Sequence, residues 1–523
     1  MSRLVKPCCA LALLAVLIAT PVLIAPPLAQ DSFWIDYVWA ERFASALKEG
    51  VLYPRWLDGS FDGLGAPVFY FYAPLPFYVA GLLGLAGAGT YYGVIGAFVV
   101  ALFGSGLSMY AWLRGRGAAL IGAALYMAMP YHLFDFARRG ALGEFFAAAF
   151  LPMIAIGIER AAGRRGYATL AIGYAGLILS HVPTALLTSV ALIAPYTLYR
   201  CRMQVRATLR IASALLLGVG LAAIYLIPAI ALQPASNVAA LWAANYFKAA
   251  YWTTLSPATW PNPTMIIIVI GLSVALAVPA IAAMVATRRP DFWALTVIAC
   301  CALSLGLVPG IWRLPVLDEV QFPWRIFTVA EFALVTLVAS PSQWTTRWRL
   351  IGISVPIVLS SIVMLAGFVD GQATIAKAEA TRPEVVEYLP AGTRFRSFQE
   401  ALAFAAHVPE RQSSGGVVTV RLFDFPRWIV LCGGQPVPTA QQPGTGLLTY
   451  RGPDDCQVAA SVLPSERVGL WVSCIALLLL LVLRIRAPSN AAQPDISSDR
   501  PGFDPVPLDV ARGTQAPSAL QRD

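Results

Sequence analysis

The sequence predicts an all-α polytopic membrane protein of about twelve transmembrane helices, with interfacial helices in the first external loop and a small β-rich module near the C-terminus. Three observations predict it. Apolar runs close to the ~20 residues that a bilayer requires recur along almost the whole chain. Of 523 residues, 58% are hydrophobic and 12% charged, against about 25% charged in soluble domains. The basic residues sit in short turns between the apolar runs.

Those turns hold Arg3 and Lys6, Arg114 and Arg116, Arg160 with Arg164 and Arg165, and Arg200 with Arg202 and Arg206. Arg288 with Arg289, Arg347 with Arg349 and Arg484 with Arg486 follow. Lys and Arg beside helix ends mark cytoplasmic loops. The net charge of +9 is therefore a topology signal, and it does not imply a nucleic-acid partner.

With these turns inside, a first helix near 8–28 runs outward. Residues 10–26 also fit the h-region of a signal peptide, and on either reading the chain beyond residue 30 emerges outside. Residues 37–49 read as an amphipathic helix with Trp39, Phe43 and Leu47 on one face, closed by Gly50. Residues 66–88 are apolar and aromatic but carry Pro74 and Pro76. A span there would place Arg114 and Arg116 outside, so this stretch is read as an interfacial helix extending the first external loop over 30–91. Further spans are expected near 92–113, 117–130, 145–162, 167–181, 183–199, 208–231, 264–286, 291–309, 325–341, 350–369 and 467–485. Both termini are then cytoplasmic.

A transmembrane domain thus covers 1–369, an extracytoplasmic module 370–466, a last helix 467–486, and a disordered cytoplasmic tail 487–523. Within the module, Gly416–Arg421, Trp428–Leu431, Leu447–Tyr450 and Gln457–Val462 read as strands between Gly/Pro turns. Cys432 and Cys456 both fall there. A disulfide between them suits an oxidising compartment, and spacing alone leaves it open.

Ionisable groups at a membrane are costly and tend to carry function. They gather on the external side: Asp31, Asp36, Glu41, Arg42, Arg55, Asp58 and Asp62 in the first loop, and His132, Asp135, Arg138, Arg139 and Glu144 in the second. Lys248, Arg313, Asp318, Glu319 and Arg325 follow in later loops. Solvated headgroup-level charge accounts for most of them. It accounts less well for Asp31, at the end of the first helix, and for Arg139 in Arg139-Gly-Ala-Leu-Gly-Glu144.

The run from Glu41 to Trp56 (Glu-Arg-Phe-Ala-Ser-Ala-Leu-Lys-Glu-Gly-Val-Leu-Tyr-Pro-Arg-Trp) and its continuation Gly63–Pro76 resemble a bacterial membrane-protein family labelled "6-pyruvoyl-tetrahydropterin synthase-related". That family is similar to the multi-spanning GT-C glycosyltransferases. Pro130-Tyr-His132, Arg139–Glu144, Ser180-His-Val-Pro-Thr184 and Gln321-Phe-Pro-Trp-Arg325 continue the match in order over about the first 330 residues. Pterin synthesis itself is rejected, because His132, His181 and His407 are dispersed and lack metal-ligand spacing.

The resemblance implies a GT-C-like fold and transfer of a sugar from a polyprenyl phosphate or pyrophosphate to an envelope glycan, lipid or protein outside the cytoplasmic membrane. It implies an acidic general base just after the first helix, which is Asp31, with Asp36 as second candidate. It also implies arginines on the leaving phosphate: Arg139 and Arg325, with Arg55 and Arg138 assisting. Glu144, His132, His181, Gln321 and Trp324 would orient the acceptor, although for His181 a helix-end polar contact is the simpler reading. Residues 380–465, through Glu387-Tyr-Leu-Pro390 and Asp424-Phe-Pro-Arg-Trp428, carry a weaker similarity to exported segments of large membrane glycosyltransferases. No cofactor is expected, and a divalent ion enters only if the fold joins Asp31, Asp36 and Glu144. A flippase for lipid-linked glycans and a non-catalytic envelope-assembly protein are the alternatives.

Overall fold

The computed structural model describes residues 2–24, 32–116, 118–163, 166–202, 204–238, 245–256, 263–339, 346–370 and 374–486. Asp31 and the segment 487–523 expected to be disordered lie outside the described residues.

Helix α1 (Ser2–Ile24) is the first apolar run. Helix α2 (Phe33–Lys48) begins four residues earlier than the amphipathic pattern suggests and buries Phe33, Trp39 and Phe43. Gly50 follows it at φ +88°, with its N–H on the Leu47 carbonyl, as a C-terminal glycine should. The prolines of the next stretch start short helices, α3 (Val68–Phe71) and α4 (Leu75–Leu83). A single π-turn, Gly84–Ala88, with φ +105° at Gly87, then breaks the run before α5 (Gly89–Leu113). Helix α4 packs against α5 at Gly93, where a Cβ would stand 2.6 Å from the Ala80 carbonyl oxygen. Residues 66–88 therefore do not prolong α5 as one rod.

The remaining helices of the first half are α6 (Ala119–Met127), α7 (Pro130–Phe134), α8 (Leu142–Ala148), α9 (Leu151–Ala162), α10 (Tyr167–Ser180), α11 (Val182–Thr188) and α12 (Ala194–Cys201). There follow α13 (Val205–Leu221), α14 (Ala223–Ala231), α15 (Pro263–Thr287), α16 (Phe292–Leu305), α17 (Phe327–Ala339) and α18 (Thr346–Asp370). Every expected span thus contains helix, and the chain is a multi-pass membrane protein. Among the described residues six helices are long and apolar enough to cross a bilayer, or seven with one bent pair counted as a span. The sequence-based count of twelve relied on shorter pieces. Helix α6, for example, has nine residues, or about 14 Å, because Pro130 breaks the run.

The bent pair is α13 and α14, which meet at 70°. A break at membrane depth needs partners for its backbone groups. Helix α21 (Pro464–Arg486) supplies them: the Ser473 hydroxyl reaches the Gly220 and Leu221 carbonyls (3.1 and 3.0 Å) and accepts from Ile224 N–H (2.8 Å). Arg55, from the loop after α2, donates to the Ile224 carbonyl (2.8 Å).

Between α18 and α21 lie α19 (Thr374–Thr381), α20 (Phe398–Ala405) and two antiparallel sheets. One orders β1 (Arg411–Ser414), β2 (Val417–Phe423), β6 (Leu447–Arg451) and β5 (Thr439–Gln441). The other orders β4 (Gln435–Val437), β3 (Trp428–Cys432) and β7 (Gln457–Ala460). All four expected strand runs are strands here, and Cys432 and Cys456 form a disulfide.

The module rests on the loop between α2 and α3. Phe423 N–H bonds the Leu64 carbonyl (2.9 Å), Arg421 pairs with Asp62 (2.8 Å), and Trp56 packs edge-on to Trp428. Gly65 permits this loop: at φ +77° its Cβ would lie 2.4 Å from the Trp56 indole nitrogen.

Candidate active site

The site is assembled where α2 meets the π-turn Asp135–Arg139 that follows α7. Ser32 donates its backbone N–H to the Arg139 carbonyl (2.7 Å). Gly140 closes the turn at φ +60°, and a Cβ there would sit 2.4 Å from that of Phe33. Only a residue without a side chain lets α2 come this close. One turn into α2, the Asp36 carboxylate accepts from Leu142 N–H at the start of α8 (3.2 Å).

Arg139 points the other way, into a buried ionic group. Its guanidinium donates to Asp135 and to Glu144, both at 2.7 Å. The Tyr131 hydroxyl donates to the other Glu144 oxygen. Arg325, more than 180 residues further along, donates through Nε to Glu144 (3.1 Å) and through Nη1 to the Val320 carbonyl (2.8 Å). The ring of Phe322 lies beneath both guanidiniums, 5.6 and 4.8 Å from their carbons. Asp36, Arg139 and Glu144 are each less than 5% exposed.

Burial, with Glu144 beside it, pushes the Asp135 carboxyl well above the usual carboxylate range. Glu144 is the carboxylate that both arginines share, while Asp135 pairs with Arg139. Arg325 spends two of its five N–H bonds on Glu144 and Val320 among the described residues.

Two further elements complete the surroundings. A Cβ on Gly143 would meet the Tyr72 hydroxyl at 3.5 Å and the His181 ring at 3.6 Å. Burial first, and the nearby Asp36 second, raise the Tyr72 phenol well above its ordinary pKa, so it remains a hydroxyl donor. Tyr388, after α19, stacks on Phe71 (5.8 Å between ring centres) and packs on Trp39. Burial raises its pKa as well.

The fold therefore brings Asp36, Arg139, Glu144, Arg325 and His181 together, and not all of the other candidates. Arg55 belongs to a second cluster: its Nε pairs with Glu466 (3.1 Å) and its guanidinium covers the Tyr53 ring. His132 turns its ring away, between Tyr126 and Phe145, while its N–H and that of Tyr131 cap on Glu331 of α17. His181 begins α11, its Nδ1 2.8 Å from the Thr184 hydroxyl. Arg138 is half-buried in the Arg139 turn. Gln321 occupies φ +64° next to Val320, and Trp324 is buried, stacked on Phe322 at 4.7 Å.

Tyr131, Asp135, Tyr72 and Tyr388 were not selected as site residues from the sequence. Tyr131 and Tyr388 lie inside the motifs Pro130-Tyr-His132 and Glu387-Tyr-Leu-Pro390, which is the signal that pointed to them. Among the described residues no three His, Cys, Asp or Glu groups are placed to hold a metal ion. Of the conditional trio Asp31, Asp36 and Glu144, Asp31 lies outside the described residues.

No family profile and no curated protein matches the sequence. Among solved structures, the fold is similar to an arabinofuranosyltransferase, AftD from Mycobacteria, at 13% identity and a TM-score of 0.39. The likeness covers 71% of this chain and 26% of that protein, so the chain corresponds to about a quarter of its length.

Proposed function

We propose that the protein is a membrane glycosyltransferase that moves a sugar from a polyprenyl-phosphate or polyprenyl-pyrophosphate carrier to an envelope acceptor on the extracytoplasmic face. The observation that carries this reading is the junction of α2 with the Arg139 turn. It sets an acidic segment beside two arginines that share one carboxylate. Buried ion groups are weak devices for stability, since apolar packing of equal volume does as well or better. Ionisable groups gathered at a membrane surface tend instead to serve function, and two arginine forks held side by side suit an anionic ligand.

In the reaction a carboxylate of the α2 segment accepts the proton of an acceptor hydroxyl, and that oxygen bonds to the anomeric carbon. The bond from the anomeric carbon to the phosphate oxygen breaks, and the phosphate leaves with the electron pair. Arg325 and Arg139 meet the growing negative charge with planar donor forks. Glu144 and Tyr131 hold the forks in place. Asp36 and Asp31 compete for the role of base; Asp31 immediately precedes Ser32, whose N–H is fixed on the Arg139 turn.

The test is sugar transfer by purified protein in lipid nanodiscs, with synthetic polyprenyl-phosphate sugars as donors. Replacing the base by its amide should lower kcat by about 10²–10⁴. Transfer at full rate by both Asp31→Asn and Asp36→Asn would remove the base assignment. Flipping of labelled lipid without transfer would replace the reaction class.

A further inference from the structure

A concavity lies away from the charged group, where the β-module meets the chain that precedes it. It encloses about 250 Å³ and is lined by Pro390, Asp424, Phe425, Trp428, Thr439 and Gln441, among others. Both C-terminal motifs noted in the sequence, Glu387-Tyr-Leu-Pro390 and Asp424-Phe-Pro-Arg-Trp428, therefore contribute to one pocket. Neither is used by the charged site, apart from Tyr388.

The lining specifies a ligand class. Trp428, half-buried beside the buried Phe425, gives ring surface, while Asp424, Gln441 and Thr439 give a carboxylate, an amide and a hydroxyl. That set pairs with vicinal hydroxyls, which both donate and accept, and the indole accepts the C–H face of a sugar. A carboxylate in the wall disfavours phosphate, and the polar lining disfavours a lipid chain. The volume is below the ~300 Å³ at which drug-sized sites begin, which suits one sugar ring of a longer chain.

Its position links it to the charged group through one aromatic layer. Phe425 packs on Tyr70 (5.1 Å), Tyr388 stacks on Phe71, and the Tyr72 hydroxyl reaches Gly143. Tyr388 and Pro390 stand two residues apart on one short segment.

We infer that this pocket binds an uncharged carbohydrate, the acceptor glycan of the transfer proposed above, on which reading the acceptor role rests. Binding is tested on the full chain in nanodiscs by saturation-transfer NMR and calorimetry, with mannotetraose, chitotetraose and an arabinofuranosyl tetrasaccharide as probes. The wild type should bind at least one at millimolar concentration. Asp424→Ala, and Thr439→Trp, which fills the pocket from an exposed position, should each weaken it at least tenfold, about 1.4 kcal/mol.

In transfer assays the same variants should raise the acceptor KM and leave kcat unchanged. Arg139→Lys should lower kcat and retain probe binding. No binding of any probe by the wild type, or wild-type affinity in both pocket variants, overturns the inference. Probe binding lost in the variants, from a protein that transfers no sugar, keeps the pocket as a glycan site and overturns the reaction instead.

Discussion

Two buried arginine clusters lie on either side of the same aromatic loop, and they are built to different plans. At Arg55 one arginine meets one carboxylate, Glu466, and its other donor satisfies the carbonyl of Ile224 in the broken α13–α14 span. Tyr70 adds its hydroxyl to Glu466 (2.9 Å). Each contact joins pieces of scaffold. At Arg139 and Arg325, two cations from distant parts of the chain share Glu144, and Asp135 pairs with Arg139 as well. Burial of an arginine is therefore not by itself the mark of a site; the convergence of two arginines on one carboxylate beside an acidic helix start is.

The comparison breaks most sharply in kinetics. Arg139→Lys keeps the charge and loses the fork, so transfer should fall about 10²–10³-fold, the scale of losing one preorganised donor to developing charge. Arg55→Lys should leave kcat within a few-fold. Equal losses in both variants would erase the distinction between the clusters.

Stability should divide the other way. Arg55→Ala leaves the half-buried Glu466 without its cation and the Ile224 carbonyl without its donor, a loss of about 1–3 kcal/mol, read as a fall in Tm of the protein in nanodiscs. Glu144→Gln should cost a comparable amount in plain buffer, since Arg325 then loses its carboxylate and Arg139 keeps only Asp135. Added pyrophosphate should restore part of that Tm, and it should restore nothing in Arg55→Ala. Rescue in neither variant would argue that the Arg139 cluster is scaffold too.

The smallest effect is expected at Ser473→Ala. It removes the hydroxyl that serves the carbonyls of the bend and the Ile224 N–H, for about 1–3 kcal/mol. Activity should persist at temperatures where the variant is folded. A large kcat loss there would tie the bend to turnover and sharpen the role of the Arg55 side.

Much of this was legible in the chain before any coordinates. Apolar runs of bilayer length and arginine-bearing turns mark a multi-pass protein because hydrocarbon tolerates little else. The four strand runs between Gly/Pro turns, the amphipathic pattern of α2 and Gly50 behind it are local signals, and local signals survive folding. Arg139, Glu144 and Arg325 could be named from their motifs. What could not be read was which charges share space. Arg55 sits in the same motif-rich loop as Asp36, yet its side chain leaves for α21. Tyr131, not His132, turns to Glu144. The count of twelve spans rested partly on short pieces, because composition does not show where Pro130 will break an apolar run.

By itself, then, the sequence determined the membrane class, the helical segments, the β-module and the residues from which a site can be built, since each depends on hydrophobic period and backbone preference within a few turns. Only the tertiary structure decided that two arginines converge on one carboxylate while a third secures a broken helix. It alone brought Pro390 and Trp428 together at one pocket. Those facts depend on contacts between residues tens to hundreds of positions apart, and no local pattern encodes the direction in which a long side chain leaves the backbone.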